Sequence, residues 1–247
     1  NNRPFDISKT VAARNFCNKL WNIARFIGSK TVSMDSAAKP TPKAVADFWI
    51  LSKLQHSERR IREALDEYRF AEAYDELYHL VWDDFADWYI EASKVEPNNS
   101  VLAYGLATIL KLAHPFAPFV TETIWQSLGC GDAKTPLVAS LWPEIPETSA
   151  TQAKQFESLK ILTEEVRFVQ AVLGERKLKL LHDNLPLLNE HANLVKSLSG
   201  LQTVTTGRAV QGGIRLGSSG LNCWLDVAEA TAKKFQAALL EKLEEQG

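Results

Sequence analysis

The chain has 247 residues, a formal net charge of −2, 45% hydrophobic and 23% charged residues, a composition that is ordinary for a globular protein. No apolar run approaches the ~20 residues that a membrane span needs, and no signal peptide opens the sequence. The cysteines Cys17, Cys130 and Cys223 are too far apart for a disulfide framework or a Cys-x-x-Cys metal site. These features lead us to expect a protein of the reducing cytoplasm.

Apolar residues recurring at three and four positions predict five helices in the first part of the chain. Their expected ranges are 8–28, 43–66, 71–94, 99–113 and 118–128. Ser8 suits the N-cap of the first helix and Gly28 its end, and the stretch Tyr68–Phe70 separates the second helix from the third. The sequence therefore predicts an up-and-down helical bundle.

The second part of the chain has a mixed pattern. Residues 129–152 are rich in Gly, Pro, Ser and Thr and are expected to form a linker, with Leu141–Trp142 as its apolar anchor. The following elements are helices at 154–173 and 187–198 and strands at 177–182, 201–206, 209–216 and 221–227. Turns at Gly207-Arg208-Ala209, at GSSG and at the pair Gly212-Gly213 suit hairpins. A final helix from residue 228 carries a narrow apolar stripe, which is typical of the start of a coiled coil.

These patterns predict a mainly α protein with three parts. Residues 1–143 form the helical bundle, 153–227 a small α+β subdomain, and 228–247 the start of a coiled-coil helix. Because the chain begins at Asn1 rather than at methionine, we expect it to be a piece of a longer protein.

Charge is segregated along the first third of the sequence. Residues 1–62 carry twelve basic and four acidic groups, a balance of +8, whereas residues 63–96 carry two basic and eleven acidic groups, a balance of −9. A local positive surface of this kind is typical of a polyanion-binding site. Two neighbouring helices that pair their charges with each other would give the same pattern, and the two interpretations do not exclude each other.

The first helix has a polar face with groups that suit RNA. At 100° per residue, Ala13, Phe16, Leu20, Ile23 and Ile27 share one side. The opposite side carries Arg14, Asn15, Asn18, Lys19, Asn22 and Arg25. Such side chains contact phosphates and unstacked bases, and Trp21 and Phe26 could stack on bases. A merely solvated amphipathic helix remains the alternative.

No catalytic arrangement is recognisable in the sequence. Neither phosphate-binding glycine motif is present, and no Gly-x-Ser-x-Gly nucleophile motif occurs. The pair Asp83-Asp84 is interpreted as a solvated helix face, and His114 as a capping or core histidine. We therefore predict no catalytic residue, no metal ligand and no cofactor within this chain.

Several segments resemble the anticodon-binding domain of bacterial valyl-tRNA synthetases. RNFCNKLWNIARF at 14–26 resembles the helix that opens this domain. Further segments follow in the family's order: ADFWILSKL at 46–54, YRFAEAYDELYHLVWDDFADWYIEASK at 68–94, LKLAHPFAPFVTETIWQSL at 110–128, and Leu141-Trp142-Pro143. The isoleucyl and leucyl enzymes share the bundle, but the N-K-L-W-N run points to valine. Residues 153–247 resemble, more weakly, the subdomain and the beginning of the coiled-coil arm that follow.

This resemblance implies that the chain is the tRNA-recognition part of a class I valine–tRNA ligase. ATP, Mg²⁺ and the catalytic motifs would belong to a domain that this chain lacks, since Ser197–Leu201 does not substitute for the family's K-M-S-K-S-like motif. The fragment itself would be a non-catalytic monomer whose polar α-helical face meets the anticodon loop of a valine tRNA. Residues 174–180 depart from the Pro- and Lys-rich turn of the family.

Two other functions remain open at this point. One is a stand-alone enzyme, for which no site is found. The other is a non-catalytic protein-interaction bundle whose acidic face at 72–91 binds a basic partner.

Overall fold

The computed structural model describes residues 7–30, 39–130, 135–208 and 213–244. The chain divides into a helical unit, Asn1–Ala153, and an α+β unit, Lys154–Gly247. Among the residues within those four ranges, no helix is both long and apolar enough to cross a membrane.

The helical unit contains all five predicted helices, each within two residues of its expected boundaries. Its elements are α1 (Ile7–Gly28), α2 (Val45–Asp66), α3 (Phe70–His79), a π-helical segment (Leu80–Tyr89), α4 (Ile90–Val95), α5 (Asn99–Ala113), α6 (Pro118–Ser127) and a short 3₁₀ turn (Leu137–Ala139). The π-helical segment joins α3 to α4 in one continuous helix. The predicted break at Tyr68 is confirmed, because this residue has a positive φ of 59° that ends α2.

The core of the helical unit is built around α5, which packs against α1, α2 and α6. Buried aliphatic residues of α5, among them Leu106, Ile109 and Leu110, face these neighbours. Helix α1 contributes Phe16, Leu20, Ile23 and Ile27, as its periodicity predicts. Ala13, predicted to share that apolar side, is instead exposed, and Ala24 is buried in its place.

A buried polar network fixes the N-terminal ends of two helices. Asp47 is 1% exposed, and its Oδ2 accepts hydrogen bonds from the backbone N–H groups of Lys43 (2.8 Å) and Ala44 (3.0 Å). The same oxygen accepts from Asn98 Nδ2 at 2.7 Å, while Oδ1 accepts from the Tyr89 hydroxyl at 2.7 Å. Burial raises the pKa of Tyr89 far above its usual range, so its hydroxyl remains a donor. Asp47 therefore links α2, the π-helical segment and the start of α5.

Buried residues recur at every fifth position along the π-helical segment. Leu80, Phe85 and Ile90 are all buried at five-residue spacing, and the Ile90 N–H bonds to the Phe85 carbonyl, the i→i+5 pattern of a π-helix. The Phe85 ring packs directly over Gly105 of α5, where a Cβ atom would lie 2.5 Å from Phe85 Cε2. A glycine is required at that point because nothing larger fits between the two helices.

The stretch after α6 anchors to the helical unit differently from the prediction. Leu137 and Pro143 are buried, whereas Leu141 is 85% exposed. Trp142 is half-buried and donates from Nε1 to Glu58 Oε1 at 2.7 Å. The prediction of Leu141 as an anchor was wrong because the 3₁₀ turn at Leu137–Ala139 places Leu137 inward instead.

The α+β unit contains a four-stranded mixed sheet. Its elements are α7 (Ala150–Leu173), β1 (Lys179–His182), α8 (Pro186–Glu190), α9 (Ala192–Ser199), β2 (Thr203–Thr206), β3 (Ile214–Leu216), β4 (Cys223–Asp226) and α10 (Glu229–Glu244). The strand order is β2-β1-β4-β3. Strands β1 and β2 are parallel, and β4 pairs antiparallel with both β1 and β3.

The sheet corrects one of the three hairpin predictions, and the turn predicted at Gly212-Gly213 lies partly outside the described residues. The loop containing GSSG joins β3 to β4 as an antiparallel hairpin, as predicted. The turn at Gly207 does not form a hairpin, because among the described strands β2 pairs with β1 alone and lies at the opposite edge of the sheet from β3. Part of the strand predicted at 209–216 lies outside the described residues, and the helix predicted at 187–198 is divided at His191 into α8 and α9.

Helix α10 packs within the α+β unit through its first turns. Phe235 is 8% exposed, and its ring centre lies 6.4 Å from that of Phe168 on α7. Leu240 is 61% exposed. Whether this helix starts a coiled coil stays a prediction.

Candidate nucleic-acid interface

Four side chains form one exposed line along α1. Arg14, Asn18, Trp21 and Arg25 follow each other at intervals of three or four residues, which places them on one face of an α-helix. All four are exposed, and Trp21 exposes 40% of its surface. We call these four residues the α1 stripe. Asn15 and Asn22, also exposed, lie beside it.

The two arginines of the α1 stripe make no ion pair within the part of the chain that the structure describes. Each presents a guanidinium group to solvent, which is planar, permanently charged and able to bind a phosphate through two hydrogen bonds. An exposed indole between two such cations adds a flat apolar surface. The α1 stripe therefore combines donors for phosphates, an amide edge and a stacking surface.

Among the six predicted site residues, Lys19 is the one whose side chain is bound within the helical unit instead of being exposed. It is half-buried, its Nζ lies 3.0 Å from Asp87 Oδ1, and it sits 4.5 Å from the centre of the Trp82 ring. The cation thus binds a carboxylate and an aromatic face of the same helical unit. Lys19 positions α1 against the π-helical segment, whereas Arg14, Asn15, Asn18, Asn22 and Arg25 remain exposed.

The segregated charges are partly neutralised between helices. Lys53 Nζ lies 3.7 Å from Asp84 Oδ1, and Arg60 Nε lies 3.0 Å from Glu76 Oε2. With Lys19 and Asp87, these pairs join the basic block to the acidic block. The charge-pairing interpretation is therefore correct for these cations, and it does not account for the arginines of the α1 stripe.

Phe26, the second predicted stacking residue, is half-buried beneath two lysines. The Nζ atoms of Lys30 and Lys94 lie 5.8 Å and 5.9 Å from its ring centre. Sequence reasoning missed Lys94, which lies 68 residues beyond Phe26, although it is one of only two basic residues in the acidic block. Lys94 Nζ is also paired with Glu91 Oε1 at 2.5 Å, so its charge is partly neutralised within α4.

The residues considered for catalysis have structural partners. Asp83 Oδ2 lies 2.6 Å from His79 Nδ1, whereas its neighbour Asp84 pairs with Lys53. The two carboxylates therefore have different partners and do not form a paired-carboxylate site. His114 Nδ1 lies 2.9 Å from Thr121 Oγ1.

Burial raises the pKa of Cys130 to about 11 and that of Cys223 to about 12, which keeps both thiols protonated and unreactive. The described residues contain no group of three or more His, Cys, Asp or Glu side chains that could hold a metal ion.

Comparison with known families identifies the class of this helical unit. The family described as "Anticodon-binding domain of tRNA ligase" matches residues 47–182, which include α2 to α6 and extend to the end of β1. The chain belongs to this family. Helix α1, with the α1 stripe, precedes the matched range.

The curated relatives are more specific. The chain is 35% identical over 184 residues to the valine–tRNA ligase of Bacillus subtilis, covering 69% of this chain and 20% of the relative. It is 36% identical over 204 residues to that of Pseudothermotoga lettingae, covering 76% of this chain and 23% of the relative. The chain thus spans about a fifth of the length of these relatives. A solved ternary complex of LeuRS, tRNA and LeuAMS from Agrobacterium radiobacter aligns with a TM-score of 0.47 and 18% identity, covering 59% of this chain and 18% of that chain.

Proposed function

We propose that the chain is the tRNA-recognition part of a valine–tRNA ligase and that the α1 stripe binds the anticodon loop. The observation that carries this proposal is the contrast among the basic residues of the first helices. Lys19, Lys53 and Arg60 pair with the acidic helix, whereas Arg14 and Arg25 project into solvent on either side of Trp21. Family membership supports an RNA partner for that surface.

The chemistry of the α1 stripe suits an unpaired loop better than a duplex. Bases of a loop are unstacked, so one of them can stack on Trp21, an interaction worth about 1–3 kcal/mol. The amide of Asn18 offers a donor and an acceptor to a base edge. Arg14 and Arg25 then bind the phosphates on both sides, which positions the loop along α1.

The proposal extends to the longer protein of which this chain would be a part. That protein attaches valine to its tRNA with ATP and Mg²⁺ in a catalytic domain outside this sequence, in the cytoplasm. The present chain contributes binding and no chemistry, and it acts as a monomer. The names of the relatives support valine as the amino acid.

A protein-interaction role for the acidic face is the weaker alternative. The carboxylates at 72–91 are largely used within the chain: Glu76 pairs with Arg60, Asp83 with His79, Asp84 with Lys53 and Asp87 with Lys19. A basic partner would have to replace these contacts, and the exchange of one ion pair for another gains little free energy.

The test is a comparison of two double variants that remove the same charge. Arg14→Ala plus Arg25→Ala removes both cations of the α1 stripe. Arg59→Ala plus Arg215→Ala, the control, removes two exposed arginines from α2 and β3. We expect the first variant to weaken binding of valine tRNA and to lower the slope of log affinity against log salt by about 0.7 per lost phosphate contact. The control should keep the slope of the wild type.

An anticodon-swapped tRNA separates base contacts from phosphate contacts. Loss of a base contact should cost about 1–3 kcal/mol and only with the cognate anticodon. Equal affinities of wild type and the Arg14/Arg25 variant, with the fold intact by circular dichroism, would show that RNA binds elsewhere or not at all.

A further inference from the structure

A polar cavity of about 620 Å³ lies at one end of the sheet in the α+β unit. Strands β1 and β2 are parallel, so their last residues, His182 and Thr206, reach the same end of the sheet. Helices α8 and α9 connect the two strands, and the carboxyl ends of strands connected in this way are where α/β sheets commonly bind ligands. Besides these two residues, the cavity is lined by Asp183, Asn184, Gly207, Arg208 and Trp224.

Hydrogen bonds fix the two loops that surround this cavity. The carbonyl oxygen of His182 accepts from the backbone N–H groups of Asn184 at 2.9 Å and Gly207 at 3.0 Å. Asn189 of α8 joins the same loops a second time, because its Nδ2 donates to Asn184 Oδ1 at 2.9 Å and its Oδ1 accepts from the Thr206 hydroxyl at 3.2 Å. The cavity is therefore formed before any ligand binds.

Three donors of the lining have no acceptor within the described chain. His182 is 1% exposed, and its Nδ1 accepts from the Leu185 N–H at 3.1 Å, so the neutral ring carries its proton on Nε2. That Nε2–H, the indole N–H of Trp224 and Asn184 Nδ2 make no hydrogen bond to a described residue. None of the three is among the described polar atoms that are both unpaired and closed off from solvent. A ligand in the cavity can therefore reach them.

The lining also carries one charge of each sign. Arg208 and Asp183 are both exposed, and neither forms an ion pair with a described residue. A simple anion in the cavity would lie near the carboxylate of Asp183, and a metal cation would lie near the guanidinium of Arg208, so either would meet a like charge. A ligand that has N–H donors on one part and an anionic group on another avoids both conflicts.

Trp224 adds a flat aromatic surface to these polar groups. It follows the buried Cys223 and precedes the buried Leu225, and it is itself half-buried, so its side chain lies on the more open face of the sheet. Aromatic side chains on a sheet face are the surfaces on which several RNA-binding domains stack unpaired bases. Such stacking accepts every base, because each base has a π face.

We propose that this cavity binds one nucleotide. Its base stacks on Trp224, the edge of the base bonds to Asp183 and to the Nε2–H of His182, and its phosphate binds Arg208. The nucleotide is either a free 5′-nucleotide or an unpaired nucleotide of an RNA. The RNA source rests on the proposed tRNA-binding function, whereas binding of a free nucleotide does not depend on it.

The experiment titrates the full chain with guanosine 5′-monophosphate, with ribose 5-phosphate and with tRNA. NMR follows the backbone amide signals of Asn184 and Gly207, which lie in the two loops around the cavity. Guanosine monophosphate is the nucleotide probe because the adjacent N–H and NH₂ groups of guanine suit a carboxylate such as that of Asp183. Ribose 5-phosphate keeps the phosphate and lacks the base.

Two variants test the site and a third is the control. Trp224→Leu removes the aromatic ring and keeps an apolar side chain. Arg208→Gln removes an exposed charge, where no effect on folding is expected, so it remains informative if Trp224→Leu is unstable. Arg176→Gln is the matched control, since it removes an exposed arginine that precedes β1, at the opposite end of the sheet from the cavity.

We expect guanosine monophosphate, tRNA or both to shift the two amide signals. Trp224→Leu and Arg208→Gln should each weaken that binding about tenfold, the effect of losing one stacked base or one hydrogen bond to a charged group, and Arg176→Gln should not. A response to guanosine monophosphate identifies a free-nucleotide site, and a response to tRNA alone identifies an unpaired nucleotide of the RNA.

Three results would overturn the proposal. These are the absence of any shift with guanosine monophosphate and with tRNA, binding of ribose 5-phosphate as tight as that of guanosine monophosphate, and equal weakening by all three variants. Failure of the Arg14/Arg25 test would leave the guanosine monophosphate result interpretable.

Discussion

The two units differ in one kind of buried polar hydrogen bond, which joins separate elements, and share another kind, which lies within a single helix. In the helical unit, Asp47 bonds to Tyr89 and Asn98, which lie 42 and 51 residues away. In the α+β unit, the buried hydroxyls of Thr163 and Ser199 donate to the carbonyls of Leu159 and Val195 in their own helices. Ser93 and Thr121 of the helical unit make local bonds of this same kind. The first kind of bond depends on the tertiary fold, whereas the second forms within any helix that contains those residues.

This difference bears on what specifies each fold. The helices of the bundle could slide or rotate against each other with their apolar faces still covered, and a single buried carboxylate with four donors excludes most of those arrangements. The α+β unit has a sheet whose register is fixed by backbone pairing. We infer that polar specificity is concentrated in the helical unit because helix packing alone leaves more freedom.

The largest expected effect comes from removing the centre of the network. Asp47→Ala leaves several buried donors without an acceptor, and we expect the helical unit to lose about 3–4 kcal/mol of unfolding free energy. Hydrogen exchange measured separately on amides of the two units checks this, with Asp66→Ala at the exposed end of α2 as control. Equal losses in both units would contradict the comparison.

An intermediate effect is expected from two matched hydroxyl deletions. Tyr89→Phe removes a long-range bond and leaves one Asp47 oxygen poorly satisfied, which should cost about 1–3 kcal/mol. Thr163→Val keeps the shape of the side chain and removes only a bond to a carbonyl within its own helix, so we expect a change below about 1 kcal/mol. Urea denaturation measures the unfolding free energy of both variants. A larger loss of unfolding free energy in Thr163→Val than in Tyr89→Phe would refute the distinction between local and long-range bonds.

The smallest expected effect is a difference between the two units in how their stability depends on pH. Burial lowers the pKa of His182 in β1, despite the opposing charge of Asp183, and its Nδ1 accepts from the Leu185 N–H at 3.1 Å. Since the folded pKa is depressed, this stability is present above the unfolded pKa of about 6.5 and is lost as the pH falls through the folded pKa.

His79 in the helical unit should respond in the opposite direction. Its hydrogen bond to Asp83 raises its pKa, so that contribution is present below the unfolded pKa and is lost as the pH rises through the folded value. The contribution is small because the pair is exposed to solvent. Hydrogen exchange in each unit between pH 7 and pH 5 measures both, and His182→Gln should remove the acid-induced loss in the α+β unit. A decline of the same size in that variant would assign the effect to other groups.

Local signals in the sequence were sufficient to predict most helices, but they were insufficient to predict which strands pair in the sheet. Helix α5 has the predicted bounds because Asn98 caps its start, with Oδ1 accepting from the Val101 N–H. The parallel pairing of β2 with β1 could not be read from Gly207, because turn residues indicate that the chain bends and not which strand it joins. Leu141 was misjudged for a similar reason, since inward or outward direction depends on the 3₁₀ turn before it.

The candidate interface was predictable in part. A 3.6-residue period places Arg14, Asn18 and Arg25 on one face within roughly 40°, and the structure leaves all three exposed. The engagement of Lys19 by Asp87 was not predictable from charge counts, because they give the sign of a region and not the distance between two atoms.

The π-helical segment constrains how this chain can be aligned with others. A helix that accommodates an i→i+5 pattern over Leu80–Tyr89 contains more residues than an α-helix of equal length. Deleting one residue there would turn Ile90–Val95 by about 100° around the helix axis and move the buried Ile90 and Ala92 away from the core. A related protein with a regular α-helix in this place should therefore align with a one-residue gap inside 80–89, even where gaps within helices are normally avoided.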